Sequence, residues 1–189
     1  MFVSKAIEMA LDMRQTVPPH LPVMIAIDGF GGAGKSEIAH KLFLELENSH
    51  VVGMDEFIRK EFLSSQGWFS GVFDHERLIN TVLDPCRRGN SFMYQALIWS
   101  LDKLGSNQAI LDVDYVIVEG ITAASMRLQP YFDLRFWVDT PLEVATARGM
   151  KRDGDKQSAE QWALWAENDR EYFDYERPDL SVDLKIQND

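Results

Sequence analysis

Residues 29–36 form a glycine-rich segment directly after an apolar run, an order found in few folds. The segment is Gly-Phe-Gly-Gly-Ala-Gly-Lys-Ser, which fits the pattern G-x-x-x-x-G-K-[ST], and residues 23–27 are Val-Met-Ile-Ala-Ile. In such a loop backbone N–H groups converge on phosphate oxygens, the lysine reaches the outer phosphates and the serine hydroxyl ligates Mg²⁺. The two segments therefore predict a nucleoside triphosphate site between a strand and a helix.

The residues around the loop favour a bound phosphate over a simple turn. Ile38, Leu42 and Leu46 recur at helical spacing after the loop, as the apolar face of a helix does. The alternative, a turn without a ligand, is disfavoured because its glycines cost conformational entropy on folding without a compensating contact. The residues that we expect to hold the phosphates are Gly29, Gly31, Gly32, Ala33, Gly34, Lys35 and Ser36.

Composition and charge limit the partners of the chain. The 189 residues, 46% of them hydrophobic, suit a single domain over residues 1–189, with an N-terminal helix over 1–15 and the core over 21–189. A net charge of −11 without any run of Lys and Arg argues against nucleic acid as a partner. No stretch is apolar enough for a membrane span. Because Cys86 is the sole cysteine, we expect a core position for it and a reducing compartment, the cytoplasm.

Short apolar runs alternate with helix-like stretches along the rest of the chain. Besides 23–27, the runs are 51–54, 115–118, 134–138 and a weaker one at 182–186. This alternation predicts a parallel α/β sheet, in which ligands bind beyond the carboxyl ends of the strands. The acidic residues at the ends of the runs are Asp28, Asp55, Glu119 and Asp139.

Two of these carboxylates suit phosphoryl transfer. Asp55 follows the second run, where it would orient an acceptor hydroxyl and accept its proton late in the reaction. The alternative role for Asp55 is a cap of the next segment. Glu119 suits Mg²⁺, directly or through water, and its alternative is a strand-end acid that backbone donors satisfy. Asp139 is more typical of a turn that starts a helix.

A small basic group follows a helix that is expected from about Leu142. Arg148, Lys151 and Arg152 fall on one helical face because they are spaced i, i+3 and i+4. On a mobile lid, which we expect at about 148–158, they would clamp the triphosphate and stabilise charge on the transferred phosphoryl group. The alternative is a solvated basic helix end that is favourable to the helix dipole. We interpret residues 57–73 as a further loop or lid.

The order of these motifs resembles the uridine kinase family over most of residues 20–186. The segments that carry the resemblance are Ile25 to Gly29 with Gly34-Lys35-Ser36, Met54-Asp55-Glu56-Phe57, Phe73-Asp74-His75-Glu76-Arg77-Leu78, Val118-Glu119-Gly120 and Arg148 to Asp153. Phosphoribulokinases and bacterial pantothenate kinases belong to the wider group, which phosphorylates a hydroxyl of a small metabolite with Mg·ATP. The resemblance implies an α/β P-loop NTPase fold: a three-layer sandwich with a mainly parallel sheet of about five strands and a small lid.

The resemblance also implies roles for single residues and reveals one departure. The implied roles are Asp55 as the base, Ser36 and Glu119 as magnesium ligands, Asp74 as the partner of substrate hydroxyls such as a ribose diol, and Arg148 and Arg152 in the lid. Where relatives place Tyr-Asp-aromatic in the hairpin of the acceptor pocket, this chain has Leu97-Ile98-Trp99. A polar base edge would lack partners there, which argues against uridine itself. In a slipped alignment Tyr94 or Gln95 would contact the acceptor instead.

Three hypotheses of function remain at this point. The first is an ATP- and Mg²⁺-dependent kinase for a small-molecule hydroxyl acceptor, such as a nucleoside, with no nucleic-acid or membrane partner and with a homo-oligomer left open. The second is an ATPase switch that signals to a partner through its conformation. The third is a protein that only binds nucleotide, which the altered hairpin would suit. The carboxylate after the second run favours phosphoryl transfer over switching.

Overall fold

A parallel sheet of five strands forms the centre of the structure. The computed structural model describes residues 2–59, 61, 67–68, 71–98, 101 and 103–188. In chain order the strands are β1 (Val23–Asp28), β2 (Ser49–Gly53), β3 (Phe92–Tyr94), β4 (Leu97–Ile98), β5 (Lys103–Leu104), β6 (Gln108–Ile110), β7 (Tyr115–Glu119), β8 (Leu134–Asp139) and β9 (Leu184–Gln187). The central sheet has the order β2-β7-β1-β8-β9, and each neighbouring pair is parallel. The five predicted runs therefore form one parallel sheet, as expected.

Helices flank the central sheet. They are α1 (Phe2–Arg14), α2 (Lys35–Glu45), α3 (His75–Leu78), α4 (Asp84–Arg87), α5 (Leu142–Asp153) and α6 (Ala159–Glu176). A wider π-helical turn over Ile79–Leu83 joins α3 to α4. The longest helix, α6, begins where the Ser158 hydroxyl accepts a hydrogen bond from the N–H of Gln161, and ends at the left-handed Arg177.

Alternate residues of β1 point into two separate cores, because successive side chains of a strand face opposite sides of the sheet. Ile25 and Ile27 pack with residues of α1 and α2 on one face. Met24 and Ala26 pack on the other face with Tyr172 of α6 and with residues of the 54–86 region. Every residue of β1 is buried. This arrangement is the three-layer α/β fold that the sequence predicts.

Residues predicted to be in the core are buried there. The helical positions Ile38, Leu42 and Leu46 belong to the core beneath α2, and each is at most 3% exposed. Cys86 is buried in the opposite core, which raises the pKa of its thiol to about 12. In the part of the chain that the structure describes, no helix combines the length and the apolar character that a membrane crossing requires.

A separate antiparallel region lies between α4 and β7. Strand β3 pairs with β6 and β4 pairs with β5, so the stretch predicted to line the acceptor pocket does form a hairpin. Trp99, the third residue of that predicted stretch, lies outside the described residues. The interpreted loop over 57–73 is described only in part, and its ends are joined by hydrogen bonds from the N–H of Arg59 to Val72 and from the N–H of Asp74 to Phe57.

Candidate functional site

A cavity of about 710 Å³ lies beyond the carboxyl ends of β1, β2 and β7. This is the edge of a parallel sheet at which ligands bind. Its described lining consists of Gly31, Gly32, Gly34, Lys35, Ser36, Glu37, Asp55, Ile58, Trp68, Phe73, Glu119, Gly120, Ile121, Arg148, Gly149, Arg152, Asp153, Lys156, Gln157, Trp162 and Trp165. The glycine-rich loop, the ends of two further strands and helices α5 and α6 therefore face one space.

The glycine-rich loop adopts a conformation that its glycines permit. Gly32 and Gly34 have φ angles of 86° and 97°, in the left-handed region that side chains disfavour. A β-carbon on Gly32 would also overlap the backbone of α5. Gly31, Gly32 and Gly34 line the cavity, whereas Gly29 packs closely against β8 and Ala33 is fully buried.

Lys35 begins α2 and supplies a cation to the cavity. Its side chain is only 8% exposed, and Nζ donates a hydrogen bond of 2.8 Å to the carbonyl oxygen of Phe30. Burial raises the pKa of four carboxyl groups near Lys35, and the positive charge of Lys35 opposes that rise. These groups belong to Asp28, Asp55, Glu119 and Asp169. An ammonium held at the loop in this way is placed to bind phosphate oxygens.

The two predicted magnesium ligands lie together. Ser36 at the start of α2 donates a hydrogen bond of 3.0 Å to Oε1 of Glu119 at the end of β7. Burial raises the pKa of Glu119, while Lys35 acts in the opposite direction. Among the described side chains, no group of three or more His, Cys, Asp or Glu could hold a metal. A hydroxyl and a carboxylate oxygen match Mg²⁺, which takes one or two protein ligands together with phosphates and waters.

Asp55 lines the same cavity from the 3₁₀ turn that follows β2. The Asp55 side chain is exposed to the cavity, yet loss of hydration among the surrounding protein atoms raises the pKa of its carboxyl group. The positive charges of Lys35 and Arg152 act in the opposite direction. The capping role that was the alternative for Asp55 is filled by Glu56, whose Oε1 accepts a hydrogen bond of 3.1 Å from the N–H of Gly53. Asp55 therefore faces the cavity without serving as the cap of its turn.

Arg148 and Arg152 reach the cavity from the last turns of α5. One nitrogen of Arg148 donates a 2.6 Å hydrogen bond to the carbonyl oxygen of Asn188, and Arg152 makes a two-pronged ion pair with Asp153 at 2.7 and 3.2 Å. Lys151 is exposed and lies outside the described lining. The predicted lid over 148–158 is thus partly the end of α5, and partly the turn that follows it.

Asp74 and Tyr94, the two residues predicted to contact the acceptor, lie outside the described lining of the cavity. Each contacts another side chain of the protein instead. Asp74 caps α3, because its Oδ1 accepts a hydrogen bond of 3.1 Å from the N–H of Arg77, and it forms a 2.8 Å ion pair with Arg59. These donors lower the pKa of Asp74 despite its partial burial. Tyr94 is 3% exposed, and its hydroxyl lies 3.4 Å from Nε2 of His50.

Asp28 is a buried carboxylate to which the motifs gave no role. Its oxygens accept hydrogen bonds from the N–H groups of Gly29 at 2.7 Å, Thr122 at 3.2 Å and Ala124 at 2.9 Å, and from the hydroxyl of Tyr172 at 2.7 Å. Complete burial nevertheless raises its pKa to about 6. Asp28 thereby joins the start of the phosphate loop to the segment after β7 and to α6. Its position at a strand end was the one sequence signal for this role.

Asp169 of α6 is a second buried carboxylate at the loop, and no sequence pattern pointed to it. It accepts one hydrogen bond of 2.7 Å from the N–H of Gly31 and another of 2.7 Å from the indole nitrogen of Trp68. Burial raises the pKa of this group, also to about 6. An acidic residue inside an amphipathic helix resembles an ordinary surface position until the fold is known.

Aromatic side chains form much of one wall of the cavity. Trp68, Phe73, Trp162 and Trp165 contribute to it. The rings of Trp162 and Trp165 pack edge to face at 5.3 Å, and a β-carbon on Gly149 would overlap the Trp162 ring. From spacing alone these tryptophans would be assigned to the core, and Trp162 is indeed only 4% exposed. Trp162 is therefore part of the core as well as of the cavity wall.

Comparison with known proteins gives two kinds of likeness. No family model matches the sequence. The chain is 27% identical over 141 residues to uridine-cytidine kinase A of Dictyostelium discoideum, a match that covers 70% of this chain but only 28% of that protein. It is 29% identical over 160 residues to a uridine kinase of Sodalis glossinidius, which covers 73% of this chain and 71% of the relative.

A solved structure shares the fold over nearly the whole chain. It is described as a possible uridine kinase from Bacillus stearothermophilus, and it superposes with a TM-score of 0.72 at 16% identity, over 98% of this chain and 100% of the other. At that identity the likeness concerns the fold alone. The sequence matches and the shared fold together confirm the resemblance of this chain to the uridine kinase-like family of P-loop kinases.

Proposed function

We propose that this chain is a kinase that transfers the γ-phosphoryl group of ATP, with Mg²⁺, to a hydroxyl group of a nucleoside. The observation that carries the proposal is the convergence of Lys35, the Ser36–Glu119 pair and Asp55 on one cavity at the carboxyl edge of the sheet. Relatives named uridine kinase and uridine-cytidine kinase support a nucleoside as the acceptor.

The glycine-rich loop and Lys35 bind the phosphates of the nucleotide. The N–H groups at the start of α2 and the partial positive charge of that helix end favour an anion. The Lys35 ammonium, which donates to Phe30 in this structure, exchanges that carbonyl for a phosphate oxygen. Arg148 and Arg152 approach the same space from α5, where guanidinium groups stabilise charge that spreads over the transferred phosphoryl oxygens.

Ser36 and Glu119 are the residues that would hold Mg²⁺. The ion supplies positive charge to the phosphate oxygens when it is bound. Glu119 must be ionised for this role, and the charge of Lys35 favours the ionised form against the effect of burial. The hydrogen bond between the two side chains keeps both oxygens at the mouth of the phosphate loop.

Asp55 orients the acceptor hydroxyl and takes its proton. The loose transition state of phosphoryl transfer needs a positioned carboxylate rather than a strong base. The acceptor itself would lie beside Asp55, near Ile58 and Phe73. For Asp74 to bind a substrate hydroxyl it must leave its ion pair with Arg59, and for Tyr94 to do so its hydroxyl must leave His50.

The test is ADP formation from Mg·ATP across a panel of acceptors, with Lys35→Ala in parallel. The panel contains nucleosides, pantothenate-like alcohols and sugar phosphates. We expect ADP release that depends on one acceptor class, and a loss of at least about a hundredfold in the variant. If ADP release is the same with and without each acceptor, the kinase hypothesis is wrong and an ATPase switch is favoured. If the chain binds nucleotide but forms no ADP under any condition, the hypothesis of a protein that only binds nucleotide is favoured.

A further inference from the structure

Two neighbouring residues of α6 hold two neighbouring residues of the segment that borders the cavity. Asn168 accepts a hydrogen bond of 2.6 Å from the N–H of Gly67, and Asp169 accepts one of 2.7 Å from the indole nitrogen of Trp68. Both pairs lie 101 residues apart in sequence and are buried. The wall that Trp68 forms is therefore attached to α6.

The same carboxylate also holds the phosphate loop. The second oxygen of Asp169 accepts a hydrogen bond of 2.7 Å from the N–H of Gly31, whose backbone lines the cavity. Asp169 is only 3% exposed. The charged groups that act on it are Lys35 and the neighbouring carboxylate Asp28. One buried carboxylate thus links a loop amide to an indole of the cavity wall.

We infer that Asp169 is a positioning residue that couples the Trp68 wall of the cavity to the nucleotide loop through its two oxygens. This inference rests on the proposed function, because it assigns the loop to the nucleotide and the wall to the acceptor side. A carboxylate is rigid and planar, so a shift of the Gly31 amide upon nucleotide binding moves the oxygen that holds Trp68. Such coupling is reciprocal: a ligand that orders Trp68 also favours the bound form of the loop.

The first measurement observes Trp68 directly and needs no acceptor. The five tryptophans give indole N–H signals in a ¹⁵N-labelled sample, and Trp68→Phe identifies the signal of Trp68. Addition of Mg·AMP-PNP, a nonhydrolysable ATP analogue, is expected to shift that signal. In Asp169→Asn the signal is expected to move in the free protein and to stop responding to the nucleotide. Asp174→Asn, an exposed carboxylate of the same helix, should respond as the unaltered chain does.

The second measurement is the affinity for Mg·AMP-PNP by calorimetry, which remains informative if Asp169→Asn fails to fold. Trp68→Phe removes one hydrogen bond to Asp169 and keeps an aromatic ring, and it is expected to change the affinity by about threefold or more. Tyr115→Phe is the matched control, because it also removes a polar group and keeps an aromatic ring, at a buried position outside the described lining of the cavity. It should change the affinity less.

The inference is overturned if the Trp68 signal of the unaltered chain ignores the nucleotide. It is also overturned if Trp68→Phe and Tyr115→Phe change the affinity equally. Neither result depends on turnover, so failure of the coupling is distinguishable from failure of the proposed kinase activity. In an active enzyme the coupling further predicts that Asp169→Asn raises the KM of both substrates more than it lowers kcat.

Discussion

The hydroxyl oxygen of Ser36 lies 3.0 Å from Oε1 of Glu119, although the two residues are 83 positions apart in sequence. Ser36 is positioned by the turn in which Gly34 ends the phosphate loop and α2 begins. Glu119 is positioned by β7, which pairs with β1 so that Glu119 lies beside Ile27. The pairing of these two strands therefore brings a hydroxyl and a carboxylate to the place where a phosphate-bound cation would lie.

The replacement Glu119→Gln is expected to weaken the use of Mg²⁺. An amide oxygen carries less negative charge than a carboxylate, so the Mg²⁺ concentration for half-maximal rate should rise by about tenfold or more. Ser36→Ala should act in the same direction, and the double variant should lose less than the two single losses combined. The measurement is the rate as a function of Mg²⁺ at fixed ATP. An unchanged half-saturating concentration would remove Glu119 from the metal site.

Asp55→Asn is expected to lower kcat by about two to four orders of magnitude while the affinity for ATP stays nearly the same. The amide still fits the site but cannot accept the acceptor proton. Asp139→Asn is the control, because this strand-end carboxylate accepts from Gln187 and lies outside the described lining of the cavity. Its kcat should be close to that of the unaltered chain. Loss of ATP binding in Asp55→Asn would make Asp55 a metal ligand instead.

Asp28 should make the stability of the protein depend on pH. Its pKa rises from 3.8 to about 6 in the fold, so the folded state binds the proton more tightly than the unfolded state. The contribution of this group is then fully present below about pH 4 and is lost as the pH rises through 6, by about 3 kcal/mol in total.

This pH dependence is measured as the difference in the free energy of unfolding between the unaltered chain and Asp28→Asn, by urea denaturation from pH 4 to 7. The free energy of unfolding of the unaltered chain, taken relative to that of Asp28→Asn, should decrease as the pH rises. Met150→Ala, at an exposed position that carries no ionisable group, should give a difference that does not change with pH. If the free energy of unfolding of the unaltered chain instead increases with pH relative to that of Asp28→Asn, the pKa of Asp28 is not raised in the fold.

Gly149→Ala should destabilise the protein even though alanine favours helices. A β-carbon at this position of α5 would overlap the ring of Trp162. Overpacking of this kind costs about 1–3 kcal/mol, which outweighs the gain of about 1 kcal/mol in helix propensity. Met150→Ala, at an exposed position of the same helix, should change the free energy of unfolding by less than about 0.5 kcal/mol. A more stable Gly149→Ala would show that α5 has room to move away from Trp162.

The parts of the fold that the sequence predicted are those with local signals. The apolar run before Gly29 and the helical spacing after Lys35 lie within a few residues of the loop, and the parallel strand order brings Asp55 and Glu119 to the same edge. The predicted three-layer α/β sandwich with its parallel sheet was therefore confirmed. Packing between distant segments has no such signal, because a carboxylate such as Asp169 is polar in the sequence whether it faces water or the phosphate loop.

The acceptor side shows the same limit. Asp74 matches a family motif, but its ion pair with Arg59 and its cap of α3 depend on how the chain folds back at residues 57–74. Tyr94 likewise ends β3, where its ring stacks on Phe57 at 5.5 Å. The role of both residues toward the acceptor stays a prediction.

The destination of the γ-phosphoryl group decides whether this chain is a kinase. Labelled ATP with Mg²⁺ is incubated with the chain and with the acceptor found in the panel, beginning with uridine, and the label is followed in the product and in free phosphate. We expect the label to enter the acceptor in the same amount as ADP is formed, and we expect Lys35→Ala to abolish the transfer. Label that appears as inorganic phosphate at a rate independent of any acceptor would contradict the proposed kinase activity.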